Sequence, residues 1–190
     1  MEDNRVYPSY SVMIRQLFKP MATVNDQLMH AAIGVSGEVA ELFSLNSWKN
    51  IVEECGDIEF YTEALKQQFE PDFASAMAHR MLYKRESINL QNVFGNLAII
   101  AGEILDLAKK SWVYTKELDR GKMTFQIMML EMNLERMYEI LQLSRADIQH
   151  TNKVKLIGPG GRFESGFYSD TAAIARADKV GEGRNFIGKK

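Results

Sequence analysis

Four carboxylates stand in two pairs at a three-residue spacing, Glu38 with Glu41 and Glu54 with Asp57, inside Gly37-Glu38-Val39-Ala40-Glu41-Leu42 and Ile51-Val52-Glu53-Glu54-Cys55-Gly56-Asp57-Ile58. Residues three apart on a helix share a face about one turn apart, so two adjacent helices can aim all four at one point. Converging carboxylates repel one another and resist leaving water, and hard divalent cations that take oxygen ligands normally hold them together. A metal centre with Glu38, Glu41, Glu54 and Asp57 as ligands is the leading expectation; the alternative is four solvated surface charges. Apolar neighbours favour the first. Val35, Val39 and Leu42 surround one pair, and Ile51, Cys55 and Ile58 the other. Gly37 and Gly56 sit mid-helix at about 1 kcal/mol each relative to Ala, a cost easiest to understand where a backbone or ligand approaches closely.

The donor set narrows the ion. Neither pair has a histidine at the step used by bundled di-iron proteins, and an all-oxygen set suits magnesium, with manganese as a substitute. With such ions the usual chemistry is phosphoryl transfer or hydrolysis.

The elements that must position these groups read as helices. Leu28, Ala32, Val35, Val39 and Leu42 recur at three- and four-residue steps over Asn25 to Leu45, with Thr23 or Asn25 as N-cap. Ile51, Cys55, Ile58, Tyr61 and Leu65 repeat the pattern over Trp48 to Gln68, and Pro71 marks a break. A second antiparallel pair is expected over Ser87 to Tyr114 and Lys122 to Leu143, with a turn at Asp119-Arg120-Gly121. Asp72 to Lys84 reads as a crossover helix. Ser144 caps a short helix to Leu156, Gly158-Pro159-Gly160-Gly161 interrupts, and a last helix opens at Ser169 or Asp170 and runs to about Asp178. No stretch alternates convincingly as a strand. The expected fold is all-α, a four-helix core of two helical hairpins with extra short helices.

A chain of 190 residues, 46% hydrophobic and 25% charged, suits one soluble domain, here placed over 1–180 with a flexible tail at 181–190. The net charge of −2 conceals a basic end: from Thr151 onward eight Lys/Arg face four Asp/Glu, leaving −6 for the rest. An acidic cluster and a basic tail suit a substrate carrying phosphates and metal. A single cysteine, Cys55, excludes an intramolecular disulfide and a thiolate zinc site. No apolar run reaches the roughly 18 to 20 residues that span a bilayer, and Met1-Glu2-Asp3-Asn4-Arg5 carries no signal-peptide pattern, so a cytoplasmic protein without membrane contact is expected.

The run His30-Ala31-Ala32-Ile33-Gly34-Val35-Ser36-Gly37-Glu38-Val39-Ala40-Glu41, followed by Glu53-Glu54-Cys55-Gly56-Asp57-Ile58, resembles the E-x-x-E and E-x-x-D magnesium motifs of the MazG and all-α dUTPase superfamily of nucleoside triphosphate pyrophosphohydrolases. Gly102-Glu103 to Asp106, Lys109-Lys110, Leu118-Asp119, Glu131 and Tyr138 resemble a second, diverged copy. Copy one spans about 23–70 and copy two about 87–156. In copy two Leu134 stands where copy one has Asp57, so one ligand set is incomplete. Asn152-Lys153-Val154-Lys155-Leu156, Arg162-Phe163 and Ala173 to Arg176 are similar to the family's phosphate-binding tail, here about 151–180.

The resemblance implies a composite site, with metal ligands from copy one and phosphate contacts from copy two, and a triphosphate cut between its α and β phosphates to release pyrophosphate. On that basis Asn152, Lys155, Arg162 and Arg176 are candidate triphosphate ligands, Lys as a point charge and Arg as a planar fork. One glutamate is a candidate to orient the attacking water. His30, two turns before Glu38 on roughly the same face, is a substrate-binding candidate set against an ordinary core or surface histidine. Trp48, Phe60, Tyr61 and Tyr138 either stack on a base or pack in the core. Glu103, Asp106 and Glu131 either hold a second cation or, lacking a partner at Leu134, are a remnant that makes hydrogen bonds or salt bridges, and the second reading is favoured. The expected partner is a nucleoside triphosphate and nucleic acid is disfavoured, because the basic tail has few interleaved aromatics. A homodimer is compatible with the family. The alternative is a catalytically silent nucleotide-binding or regulatory protein on the same scaffold.

Overall fold

A computed structural model describes residues 6–44, 48–70 and 89–176, and among them every regular element is a helix. They are α1 (Tyr10–Leu17), α2 (Val24–Leu42), α3 (Trp48–Gln68), α4 (Leu90–Tyr114), α5 (Arg120–Leu141), α6 (Arg145–Ile157) and α7 (Asp170–Ala175). The expected crossover helix over Asp72 to Lys84 and the tail from 177 onward lie outside the described residues.

Local chemistry sets most of the helix starts. Thr23 and Asp26 form a reciprocal capping box at the head of α2, and Asn89, Asp119, Ser144 and Ser169 each accept a backbone N–H three residues on. Such a cap contributes about 1 kcal/mol relative to Ala. Asp119 explains one departure from expectation. The residues read as a turn, Arg120 and Gly121, are already the first turn of α5 because Asp119 caps it.

Helix α1 escaped the sequence reading although Tyr10, Met13, Ile14 and Leu17 follow the helical period, and all four are buried. Its eight residues are too short to be stable alone, so its folding depends on packing against α3 and α6.

Four helices form the core. Helix α2 packs on α3 and α4, α4 on α5, and α5 closes the ring on α3. Contacts along each seam give the directions. The start of α2 meets the end of α4 where the Trp112 indole N–H donates to Asp26 at 2.7 Å, and its far end meets the start of α4 where Phe43 and Phe94 lie 5.8 Å apart. The same logic runs α4 against α5, through Asn96 to Asn133 and Gln126 to Glu103, and α5 against α3, through Arg120 to the Gln68 carbonyl and Tyr138 to Glu59. Each helix is therefore antiparallel to its neighbours in the ring. The interior is filled by Leu28, Val35, Ile58, Leu65, Leu97, Ile104, Ile127 and Leu130, all at most 2% exposed, each contributing roughly 1.5–3 kcal/mol of burial.

Helices α1 and α6 lie against α3 on its other side. A buried ionic seam ties α3, α5 and α6. Glu59, 1% exposed, accepts from Tyr138, from Gln149 and from the Arg145 guanidinium, which also reaches Glu131, itself paired with Lys66 at 2.9 Å. Every charge buried there has a partner, the condition under which ion pairs persist away from water.

Candidate functional site

Helices α2 and α3 run side by side with α2's Gly34 against the ring of Tyr61: a Cβ at Gly34 would sit 2.2 Å from that ring. One to two turns further along α2, the chain presents Glu38 and Glu41 to Glu54 of α3. One carboxylate oxygen from each of these three lies within 4.8 Å of the others. The i,i+3 spacing of the first pair puts Glu38 and Glu41 on one edge, and the antiparallel pairing of α2 with α3 brings Glu54 opposite.

Electrostatics register the crowding. Burial, then the negative charges of Asp57, Glu41 and Glu54, push the Glu38 carboxyl up to about 8. Burial and the charges of Glu41, Asp57 and Glu53 also raise Glu54, an effect that Lys155 opposes. Both shifts have the sign expected of carboxylates that repel without a countercharge. A divalent ion supplies that countercharge, and three converging carboxylate oxygens fit the hard-oxygen donor set of magnesium or manganese.

Asp57 lies beside the cluster but faces other groups. The Asn152 amide N–H donates to its Oδ1 at 2.9 Å, and the Lys155 ammonium approaches its Oδ2 at 2.5 Å and Glu53 at 2.9 Å. Asn152 and Lys155, expected to touch a triphosphate, are thus engaged with α3. Asn152 is 2% exposed, and it fits against α3 only because residue 56 is glycine, where a Cβ would stand 2.9 Å from the Asn152 Cβ. That accounts for one of the two mid-helix glycines. Gly37 has open space where its Cβ would be, so the close approach expected there occurs at Gly34 instead.

Glu38, Glu41, Glu54 and Asp57 line a cleft of about 270 Å³ together with Arg162, Arg176 and His30. Arg162 arrives by a tight reversal after α6. Gly160 adopts φ 72°, and the backbone N–H groups of Arg162 and Phe163 return to the carbonyls of Lys155 and Leu156. The Gly158-Pro159-Gly160-Gly161 segment therefore delivers an arginine to the carboxylate cleft. Arg176 is the left-handed C-cap of α7. His30 stacks on Phe18 at 4.6 Å, and burial followed by the Lys19 charge lowers its pKa, which favours the neutral imidazole at neutral pH.

Much of the remaining lining was not anticipated. Leu17, Phe18 and Lys19, at the end of α1, and Tyr168, before α7, complete the cleft beside Phe60, Tyr61 and Phe163, the last already part of the Arg162-Phe163 motif. Lys19 pairs with Asp170 at 2.6 Å, and the Tyr168 N–H donates to the Gln16 carbonyl, so the two ends of the described chain meet there. Only the i,i+3,i+4 pattern of α1 offered a signal for this wall.

The second set of acidic residues sits elsewhere. Glu103 accepts from Gln126, Asp106 pairs with Lys110, Glu131 pairs with Lys66 and Arg145, and Leu134 is fully buried in the core. Each of these carboxylates has a cationic or amide partner. Tyr138, weighed as a base-stacking ring, is buried against Glu59 instead.

A scan of protein-family models finds no match for this chain, and neither the curated proteins nor the solved structures yield one. Among the described residues no helix is long and apolar enough to cross a membrane.

Proposed function

We propose that this chain is a magnesium-dependent nucleoside triphosphate pyrophosphohydrolase, converting a nucleoside or deoxynucleoside triphosphate to the monophosphate and pyrophosphate. One observation carries the reading: three glutamate oxygens gather within 4.8 Å in a cleft that also holds Arg162, Arg176 and several aromatic rings. Glu38, Glu41 and Glu54, with Asp57 alongside, would hold the ion, which when bound neutralises phosphate oxygens and favours hydroxide over water. Arg162 and Arg176 supply donors that match phosphate geometry. Phe18, His30 and Tyr61 offer flat apolar surfaces for a base. Water attacks the α-phosphorus, its oxygen forming the new bond while the bond to the α,β-bridging oxygen breaks. Pyrophosphate leaves on that oxygen, and a cleft carboxylate takes the proton from the water.

One arrangement favours the silent nucleotide-binding alternative. Both oxygens of Asp57 are already engaged by Asn152 and Lys155, leaving three carboxylates in the cluster. Pyrophosphate release from a panel of canonical and modified nucleoside triphosphates, with magnesium and then with excess chelator, separates the two. Metal-dependent release that Glu54→Gln abolishes supports hydrolysis and names the substrate. Nucleotide binding without release from any member supports the silent reading.

A further inference from the structure

Helix α1 lies outside both copies of the helical-hairpin pattern, yet it places one polar atom at the centre of the site's supporting network. Tyr10, 7% exposed, donates its hydroxyl proton toward the Gly56 carbonyl at 3.2 Å and Asn152 Oδ1 at 3.0 Å. Both are acceptors, and Asn152 is 142 residues away in sequence. Burial, then the charges of Glu59 and Asp57, hold the phenol far above its ordinary pKa, so it remains a neutral donor.

We propose that Tyr10 is a positioning residue for the cation site, acting through Asn152 to fix Asp57 beside the three glutamates. The inference rests on the reading of that cluster as a metal centre. Asn152 presents Nδ2 to Asp57 at 2.9 Å only while Oδ1 points the other way, and the group it meets there is the Tyr10 hydroxyl. The reversed amide would set an oxygen against the Asp57 carboxylate, acceptor against acceptor. Gly56 is the neighbour of Asp57 on α3, and its carbonyl is the more distant of the two acceptors around the Tyr10 hydroxyl. Asp57 keeps lone pairs to offer a cation while so held, because each carboxylate oxygen accepts more than one partner. Groups that orient metal-binding carboxylates typically change metal affinity by about 10- to 100-fold when removed. Tyr10 acts one hydrogen bond further out, which places Tyr10→Phe near the lower end, about 10-fold.

The test measures Mn²⁺ binding to the full chain without nucleotide, from the loss of the free ion's electron paramagnetic resonance signal. The variants are Tyr10→Phe, Asn152→Ala and their combination. Tyr138→Phe is the control, because it deletes a comparable buried hydroxyl, bonded to Glu59 in the ionic seam. The expected result is about 10-fold weaker binding for Tyr10→Phe, unchanged binding for Tyr138→Phe, and no further loss when Tyr10→Phe is added to Asn152→Ala. Wild-type affinity in Tyr10→Phe overturns the proposal. Equal losses in the two tyrosine variants overturn it too, since they report loosened packing. So does an additive loss in the combination, which means that Tyr10 does not act through Asn152. Failure of the wild type to bind Mn²⁺ rejects the metal centre itself, a result distinct from these three. Should Tyr10→Phe fail to fold, Asn152→Ala carries the test: binding about 10-fold or more weaker than in Tyr138→Phe supports the proposal, and binding no weaker than in Tyr138→Phe overturns it, because Tyr10 acts through Asn152.

Discussion

Replacing Glu38 by glutamine removes one of the mutually repelling carboxylates and leaves its volume, so the repulsion can be read as stability. In the folded chain the Glu38 carboxyl is raised from 4.5 to about 8, chiefly by burial and then by Asp57, Glu41 and Glu54. A group whose folded pKa is raised contributes stability that is full below its unfolded pKa and is lost as pH rises through the folded one. The window here runs from about 4.5 to about 8. At about 1.4 kcal/mol per pH unit the ceiling is about 5 kcal/mol. Solvent reaches part of this side chain, and screening reduces the figure to about 2 kcal/mol. In excess chelator, urea unfolding at pH 5 and pH 8.5 should show wild type losing about 2 kcal/mol more than Glu38→Gln across that interval, so that the variant becomes the more stable protein at pH 8.5. Saturating magnesium at pH 8.5 should then restore the wild type, by about 2.7 kcal/mol at a hundredfold excess over Kd, and leave the variant largely unchanged. Parallel pH profiles for the two proteins in chelator would refute the argument, since they would mean that Glu38 feels neither its neighbours nor burial.

Other substitutions test the surrounding structure. Gly34→Ala forces Tyr61 out of its place and should cost about 1–3 kcal/mol in urea unfolding, whereas Gly37→Ala, with open space at its Cβ, should stabilise by about 0.5–1 kcal/mol. Gly56→Ala crowds Asn152 and should lower both stability, by about 1–3 kcal/mol, and Mn²⁺ affinity; loss of stability with intact affinity would count against the link from Asn152 to Asp57. Arg145→Met leaves Glu59 buried without its main countercharge and should destabilise by about 3–5 kcal/mol, measured by the same unfolding assay, with the proviso built into the comparison that Arg15→Met, an exposed partner of Glu70, should change stability by less than about 1 kcal/mol. Arg162→Ala should raise KM for the triphosphate at least tenfold while the free protein binds Mn²⁺ as before, which steady-state kinetics and ion binding together would check.

The sequence alone determined what depends on near neighbours in the chain. Helix periods located α2 and α3, Thr23 and Ser144 marked two starts, and the three-residue steps of Glu38 with Glu41 and Glu54 with Asp57 placed each pair on one helical edge, because 3.6 residues per turn is a local property. Boundaries shifted by a turn or less where a cap such as Asp119 outweighed a turn-like composition. The tertiary structure decided which groups meet. Asp57 stands beside the three glutamates with both oxygens held, because Asn152 and Lys155 reach it from α6, 95 and 98 residues on. Gly34 rather than Gly37 makes room for a ring, since the face of α2 that meets Tyr61 is set by the packing of α3. Helix α1, too short to stand alone, gains its role by docking where Tyr10 touches both Gly56 and Asn152. Periodicity tells which residues share a helix face, but only packing of distant segments fixes which face meets which, and the cleft is built from those meetings.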